Sequence, residues 1–530
     1  MFRNAKNRLL VAAACLAAVS AVGCVSEKAT PAAIVRDSIF LGYSIPDTKQ
    51  TTCGNCHADV QGTWVQTKHA SAWADLQASG HADTSCNKCH TTNGATNLGP
   101  DNGGFFSATT DAAKKLYQDV QCEACHGPGA HHMSAPGETQ PITTVQIDTT
   151  HANGCAACHY GTHNPFTEQL ATSVHGRAPD WEGAAGSCQV NCHTVWGAMP
   201  AFAPLANYLE KGTNPLTTTL PAGFTCALCH DPHDASNPGQ LRLTLSSTDS
   251  AQHACGKCHS RAPVTQASSW TSTRGAHGVQ FEVLMGNAGY MDPALGNIQG
   301  PARHGTQDGS CATCHMAAGP VNAAGGAFAV QNTGHTFEVA PCLNPAMLST
   351  GGVDTTAACT EANRDFSACA TSSCHGSQAS ARSAMDKLQA EIKGYVALLW
   401  VDNPSGCVST GVPAGCVGSL NAVDTFDLGW LPKLMKHDAT RAAGTKRFGT
   451  TGADAGFTVA KGARYNALTF GSPNRHGDGS FGVHNPEFVR AVLAGAVNSV
   501  RSTYATTDTL QGVPPAIEAL LERAARTRSH

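Results

Sequence analysis

At 530 residues the chain is long enough for several domains, yet charged residues make up only 14% of it, against about 25% in ordinary soluble domains. The formal net charge of −4 comes without a basic stripe, which excludes nucleic acid as an expected partner. With 24 Cys, 25 His and 54 Gly but only 6% aromatic residues, the composition suits a loop-rich, disulfide-stapled secreted protein, and it is the arrangement of the cysteines that argues against one.

The chain opens with an export signal. Arg3, Lys6 and Arg8 form a positive region, and the apolar run 9–22 is too short for a comfortable membrane span. It leads into Ala21-Val22-Gly23-Cys24. That ending resembles a bacterial lipoprotein signal, in which the Cys becomes the lipidated first residue; Ala21 stands where Leu is more usual. The expectation is a signal peptide at 1–23 with lipidation at Cys24. The alternative is simple cleavage near Gly23, with Cys24 a bystander. No later stretch is apolar enough to span a bilayer, so the membrane is expected to be reached through the lipid anchor only.

Nine segments then place a His directly after the second of two close cysteines. Motif 1 is Cys53, Cys56 and His57; motif 2 is Cys86, Cys89 and His90; motif 3 is Cys122, Cys125 and His126; motif 4 is Cys155, Cys158 and His159. Motif 5, with Cys188, Cys192 and His193, has three residues between its cysteines. Motif 6 is Cys226, Cys229 and His230; motif 7 is Cys255, Cys258 and His259; motif 8 is Cys311, Cys314 and His315. Motif 9, with Cys369, Cys374 and His375, has a gap of four. The spacing has a chemical reason. Two thiols add across the two vinyl groups of one haem as thioethers, and the His after the second Cys falls beneath the porphyrin, where it ligates iron as the proximal ligand. A longer gap still allows both thioethers if the extra residues loop out. Chance would give about 0.05 strict matches at this composition, against the seven found. Zinc sites also use Cys-x-x-Cys pairs but do not require a His after every second Cys. Nine covalent haems c are therefore expected, and their propionates make the charge more negative.

The motifs use 18 of the 24 Cys. Cys15 lies in the signal and Cys24 at its end, which leaves Cys342, Cys359, Cys407 and Cys416. In an oxidising compartment these can pair, 342–359 with 407–416 being one of the open connectivities. Cys359 is also an alternative to Cys369 as thioether partner of Cys374, although the shorter loop closes at lower entropy cost.

Motif starts at 53, 86, 122, 155, 188, 226 and 255 recur about every 33 residues, the length of chain that wraps one haem and reaches the next. Such density puts neighbouring porphyrins within tunnelling range. Between motifs, Gly, Pro, Thr, Asn and Asp recur, as in 97–104 and 293–301, which predicts loops and turns, with short helices at the motifs. Haems would replace much of the missing core, so the haem-free chain should fold poorly. Beyond His375 the pattern changes. Met385, Leu388, Ile392, Val396 and Leu399 predict a helix over 379–401, closed by Pro404. Two more are predicted over 485–500, with Pro486 near its start, and 514–526. The expected divisions are the signal peptide, a tether at 24–50, a nine-haem region at 51–376, and a mainly helical region at 377–530 that supplies distal ligands. The expected fold class is mainly α with extensive irregular loops, a haem-wrapped core and little β.

Nine proximal His leave fifteen others, discounting His530, for nine distal positions, while only eight Met lie beyond Met1. Low-spin bis-His ligation is expected, which suits electron carriage because no open position is left for a substrate. The favoured distal ligands are His69, which follows Trp64 after motif 1; His81 and His304, shortly before the next Cys pair; His131, closing Cys122–His131; and His233 in Cys-His-Asp-Pro-His. His163, His175, His277 and His335 are favoured by their Gly-Thr-His, Val-His-Gly, Ala-His-Gly and Gly-His-Thr contexts, and His484 by Gly-Val-His-Asn-Pro. His132, His151, His253, His437 and His476 stand in reserve.

The segments 122–131, 226–233 and 480–492, the last with its Gly-Val-His-Asn-Pro-Glu-Phe core, resemble large bacterial multihaem c-type cytochromes. That group contains outer-surface electron-transfer cytochromes of metal-respiring bacteria and, more distantly, octahaem enzymes related to tetrathionate reductase and hydroxylamine oxidoreductase. The resemblance covers 50–500 in organisation, while specific motifs cover a small part. It implies a haem chain with stacked and perpendicular pairs. The expected function is an electron conduit with no catalytic residues of its own. It would sit as an outer-membrane lipoprotein or at the cell surface, and deliver electrons to extracellular acceptors such as metal oxides. Expected partners are other cytochromes and, by analogy, an outer-membrane porin-cytochrome complex. The alternative is a multihaem oxidoreductase acting on nitrite, hydroxylamine or a sulfur oxyanion at one open haem. Some such enzymes use Cys-x-x-Cys-Lys, which does not occur here. Self-assembly into a haem-lined filament is a third expectation, against which a surface tether at Cys24 argues.

Overall fold

Each described haem motif is too short for a free-standing helix and folds as one tight turn, and in six of them one recurring bond closes it. The amide of the motif His donates to the carbonyl of the first Cys: His57 to Cys53 at 3.0 Å, His90 to Cys86 at 3.3 Å, His159 to Cys155 at 2.9 Å, His230 to Cys226 at 2.9 Å and His259 to Cys255 at 3.0 Å. In motif 9 the His375 amide donates to the Cys369 carbonyl at 3.1 Å, so the same closure is kept while the extra residues loop out. The second Cys tightens several of these turns from within, its amide also donating to the first Cys carbonyl: Cys56 to Cys53 at 3.1 Å and Cys258 to Cys255 at 3.2 Å. The turns are α-helical at Cys122–His126, Cys226–Cys229 and Cys311–His315, and tighter at Cys53–Asn55 and Gly154–Ala157.

The structure is a computed structural model and describes residues 39–93, 103–137, 154–161, 163–176, 224–260, 278–291, 300–321, 330–347, 352–356, 358–400, 458–471 and 477–504, with isolated residues at 141, 198, 202, 350 and 429–431. The signal peptide and Cys24 lie outside the described residues, as does the whole of motif 5, with its expected thioether residues Cys188 and Cys192 and its expected proximal ligand His193. The same holds for His151, His277, His437, His476, Cys407, Cys416 and the helix expected at 514–526.

The described architecture is mainly α with extensive irregular loops. Strand is confined to two short antiparallel ribbons, Tyr43–Ile45 with Gln50–Thr51 and Gly319–Pro320 with Gln331–Asn332. Residues 39–50, expected as part of the tether, are folded onto the motif region. The buried Glu123 carboxylate, inside motif 3, accepts from the amides of Leu41 (2.9 Å), Gly42 (2.8 Å) and Gly129 (2.9 Å). Tyr43 adds a hydroxyl bond to Asp119 at 2.8 Å.

Three long described helices lie beyond the last motif. α1 (Gln378–Leu399) is capped by the Ser377 side chain, which accepts from the Ser380 amide, and ends where Trp400 turns extended and buries its ring. α2 (Thr458–Gly471) was not foreseen, because Lys461, Arg464 and Asn466 interrupt its apolar pattern and two glycines lower its propensity. Packing overrides propensity: a Cβ on Gly462 would lie 1.9 Å from the Tyr290 ring, and one on Gly471 2.4 Å from Val396. α3 (Pro486–Tyr504) starts on its proline, with Asn485 accepting from the Phe488 amide at 3.3 Å, and runs past the expected end at 500. The three helices pack on one another and on Val279, Val283 and Trp430 in the largest apolar cluster, with Ile392, Tyr395, Leu399, Phe470 and Val492 inaccessible. Apart from Val279, Val283 and Ala288, the described residues of the motif region gather in small clusters, such as Tyr43, Trp64 and Ala70. No helix among the described residues is long and apolar enough to cross a membrane.

Replacing Glu123 with Ala removes the carboxylate from three amides, two of them in buried bonds. The expected cost is about 2–3 kcal/mol of local stability. It should appear as faster hydrogen exchange at Leu41, Gly42 and Gly129.

Candidate haem-binding sites

None of the sixteen described motif cysteines is in a disulfide. Their surroundings differ. Cys56, Cys155 and Cys374 are exposed, whereas Cys258 is half-buried beside Cys229 against the small apolar cluster around Leu228. Cys342 is bonded to Cys359 with Cα atoms 5.6 Å apart, which removes Cys359 as an alternative partner for Cys374. The Cys369 carbonyl already closes the motif 9 turn.

Above the turns, imidazoles face one another in pairs. Ring centroids are 6.3 Å apart for His57 and His132, 6.1 Å for His126 and His233, and 6.2 Å for His159 and His69. They are 6.2 Å apart for His230 and His335, 6.1 Å for His259 and His175, 6.1 Å for His315 and His484, and 6.4 Å for His375 and His304. Directly hydrogen-bonded imidazoles would bring their centroids to about 5.1 Å. Two imidazoles on opposite sides of one first-row metal ion, each with nitrogen about 2.0 Å from it, put them about 6.2 Å apart. The residues present therefore fit an iron held between two histidines, with two thiols outside any disulfide beside the motif member of each pair.

The orientation of the rings agrees with that use. Nδ1 of His90 lies 2.8 Å from the Ala72 carbonyl, His230 2.6 Å from Gly239, His304 2.7 Å from Val483, His315 3.1 Å from Phe337 and His335 3.1 Å from Thr333. A carbonyl can only accept, so each Nδ1 carries the proton and each Nε2 keeps its lone pair. Burial, with smaller contributions from neighbouring imidazoles, pulls His126, His159, His175 and His315 down to about 4; for His335 burial again leads, with the same result. They stay neutral at physiological pH, the form that ligates a metal. His484 runs the other way: burial lowers it, but the charge and hydrogen bond of Asp478 raise it further.

Six of the favoured distal histidines, His69, His175, His233, His304, His335 and His484, stand in these pairs. The ring facing His57 is that of His132, held in reserve, and not its neighbour His131. Both lie on the turn Ala130–Ser134, and context in the sequence does not say which of two adjacent rings points at motif 1. His81, His90, His131 and His163 are described and belong to none of these seven pairs. His253 is a cap. Its Nδ1 accepts from the amides of Cys255 (3.1 Å) and Gly256 (3.0 Å) and so holds the start of the motif 7 turn.

The motifs also adjoin one another through their thiols. The thiol of Cys53 adjoins that of Cys122, Cys89 that of Cys158, Cys155 that of Cys226 and Cys255 that of Cys311. Cys125 lies within electrostatic reach of Cys155, Cys255 of Cys229, and Cys314 of Cys369 and Cys374. Neighbouring motifs therefore run 1, 3, 4, 6, 7, 8, 9, with motif 2 beside motif 4. His253, Cys255 and Cys311 lie close enough to form a metal-ligating group, but both thiols belong to motifs.

Residues 52–127 match the family described as cytochrome c554 and c-prime, and residues 221–263 match the doubled CXXCH motif. The chain is a bacterial multihaem c-type cytochrome. It carries covalent haem c. The cytochrome is 27% identical over 158 residues to the C-type polyheme cytochrome OmcC of Geobacter sulfurreducens, covering 28% of this chain and 20% of that protein. It is 25% identical over 183 residues to the multiheme cytochrome MtrA of Shewanella baltica, covering 29% of this chain and 50% of that one. The cytochrome thus spans between a fifth and a half of the length of these relatives. No solved structure matches it.

Converting Cys342 and Cys359 together to Ser should leave the haem content unchanged, whereas Cys369→Ser should leave the motif 9 haem on a single thioether. The red-shifted reduced absorption of a one-thioether haem, seen only in the Cys369 variant, is the expected readout.

Proposed function

We propose that this cytochrome holds nine haems, one at each motif, and conducts electrons along them to extracellular or outer-membrane acceptors, metal oxides among them. The observation that carries the proposal is the set of seven imidazole pairs spaced for one metal ion each. In this reading the eighteen motif cysteines form the thioethers and the nine motif histidines are the proximal ligands, with Cys188, Cys192 and His193 of motif 5 included on their sequence alone. His132, His233, His69, His335, His175, His484 and His304 are the distal ligands of motifs 1, 3, 4, 6, 7, 8 and 9. When bound, each haem iron supplies a one-electron carrier, and two imidazoles on it leave no position for a substrate.

The succession of adjoining motifs supports conduction over a set of isolated sites. Among the described motifs, 1 and 9 stand at the two ends of this succession, and motif 2 branches from motif 4. The division into a nine-haem region at 51–376 and a helical region at 377–530 is part of the same reading, with His484 reaching back from the second to the first. The lipid anchor at Cys24, an outer-membrane or surface location, and cytochrome or porin-cytochrome partners rest on the signal sequence and on likeness to OmcC and MtrA.

The test is haem content per chain together with the reduced visible spectrum in the presence and absence of carbon monoxide. Nine haems and no spectral change are the expected result. A change equivalent to one haem in the native protein would sink the all-bis-His reading and turn attention to nitrogen and sulfur oxyanions. His132→Ala should add one carbon monoxide-binding haem per chain, and an unchanged spectrum in that variant would remove His132 as the ligand at motif 1.

A further inference from the structure

The seven pairs are alike in spacing but not in what holds the rings from behind. Five of the motif or facing histidines give their Nδ1 proton to a backbone carbonyl. Nδ1 of His259 faces the Gln280 side-chain oxygen at 3.3 Å, a neutral acceptor. Among the described residues, His233 and His484 each face a carboxylate. His233 lies 3.3 Å from Asp231, but that Asp is also paired with Arg242 at 3.0 Å, and the His233 side chain is 41% exposed. Solvent and a guanidinium therefore take up much of that charge.

His484 is different. Its Nδ1 is 2.5 Å from Oδ1 of Asp478, whose side chain is 0% exposed. The other carboxylate oxygen accepts from the Ser480 hydroxyl and, at 3.3 Å, from the Ser480 amide. Ser480 in turn accepts from the His484 amide at 3.2 Å, so the Asp, Ser and His lock one another. No Lys or Arg is paired with Asp478 among the described residues. An unneutralised, fully buried carboxylate draws the Nδ1 proton towards itself and gives the ring imidazolate character. That makes Nε2 a stronger donor, and a stronger donor stabilises the ferric over the ferrous state.

We infer that Asp478 is a positioning residue that, through His484, gives motif 8 the lowest midpoint potential of the seven paired sites. The inference rests on the bis-His reading and adds a low point to the succession between motifs 7 and 9. The geometry contains a second handle. Ser480 competes with His484 for the Asp478 charge, so removing its hydroxyl should leave more of that charge on the ring.

The experiment uses the full haem-loaded chain, with haem content and carbon monoxide response measured first because they test the ligation reading separately. In Asp478→Asn both should match the native protein. In a potentiometric titration, the lowest one-haem fraction should move upward with the rest unmoved. One ferric low-spin electron paramagnetic resonance component should move with it, and Asp478→Glu should restore both. A full haem complement with an unmoved curve, or a shift spread over all haems, overturns the inference while leaving the ligation reading intact. Should Asp478→Asn load fewer haems, Ser480→Ala decides the matter. The same fraction is expected to move downward, and an unmoved curve there overturns the inference equally. A native protein that binds carbon monoxide at motif 8 would instead strike the ligation reading itself.

Discussion

Under the proposed ligation, the rest of the structure depends on one constraint, the requirement that two imidazoles from distant parts of the chain meet across the width of a single ion. His69 meets His159, His126 meets His233 and His315 meets His484, so each pair closes a loop of roughly 90 to 170 residues. Ordinary domains offset such closure entropy with a continuous apolar core. Here most described residues of the motif region gather only in scattered three-residue clusters. Under the proposed ligation, the iron–imidazole bonds and the apolar faces of the porphyrins take the place of that core, as metal binding does in small domains that fold only when loaded.

The region beyond the motifs obeys different physics. α1, α2 and α3 bury a contiguous apolar cluster and hold their positions by side-chain packing. This packing fixes the short segment 477–485 that delivers His484 to motif 8, with Asp478 and Ser480 tied behind the ring and Asn485 capping α3 beside it. A conventional hydrophobic unit thus supplies the best-braced ligand position to a region that has little core of its own. The same rigidity lets a buried carboxylate stay buried. In a looser segment Asp478 would turn to solvent, and its influence on the ring would be screened.

How much of this was legible follows from how local each determinant is. The motif turns were readable because thioether chemistry fixes residue types within a few positions, and the closing bond from His to the first Cys is equally local. α1 was readable from its apolar spacing, to within a residue or two at each end. α2 was not, because what favours it is the Tyr290 ring against Gly462, a contact nothing in 458–471 announces. The facing histidines fall between these cases. Context picked six of the seven rings in the pairs, but His131 and His132 differ only in which way one short turn presents them. The partners behind the rings, mostly carbonyls, leave no trace in residue type. The Asp478 carboxylate does leave one, six residues before His484, but the Asp-Gly-Ser turn that aims it back is visible only in three dimensions.

The most direct measurement is hydrogen exchange on the exported chain made in cells lacking the haem-attachment machinery, compared with the haem-loaded protein. If the imidazole pairs need iron to hold the fold, amides across 53–375 should exchange at nearly unfolded rates in the haem-free chain and be protected in the loaded one. Protection of the motif turns to the same degree in both would contradict the account, because the pairs would then be a consequence of the fold and not what sustains it.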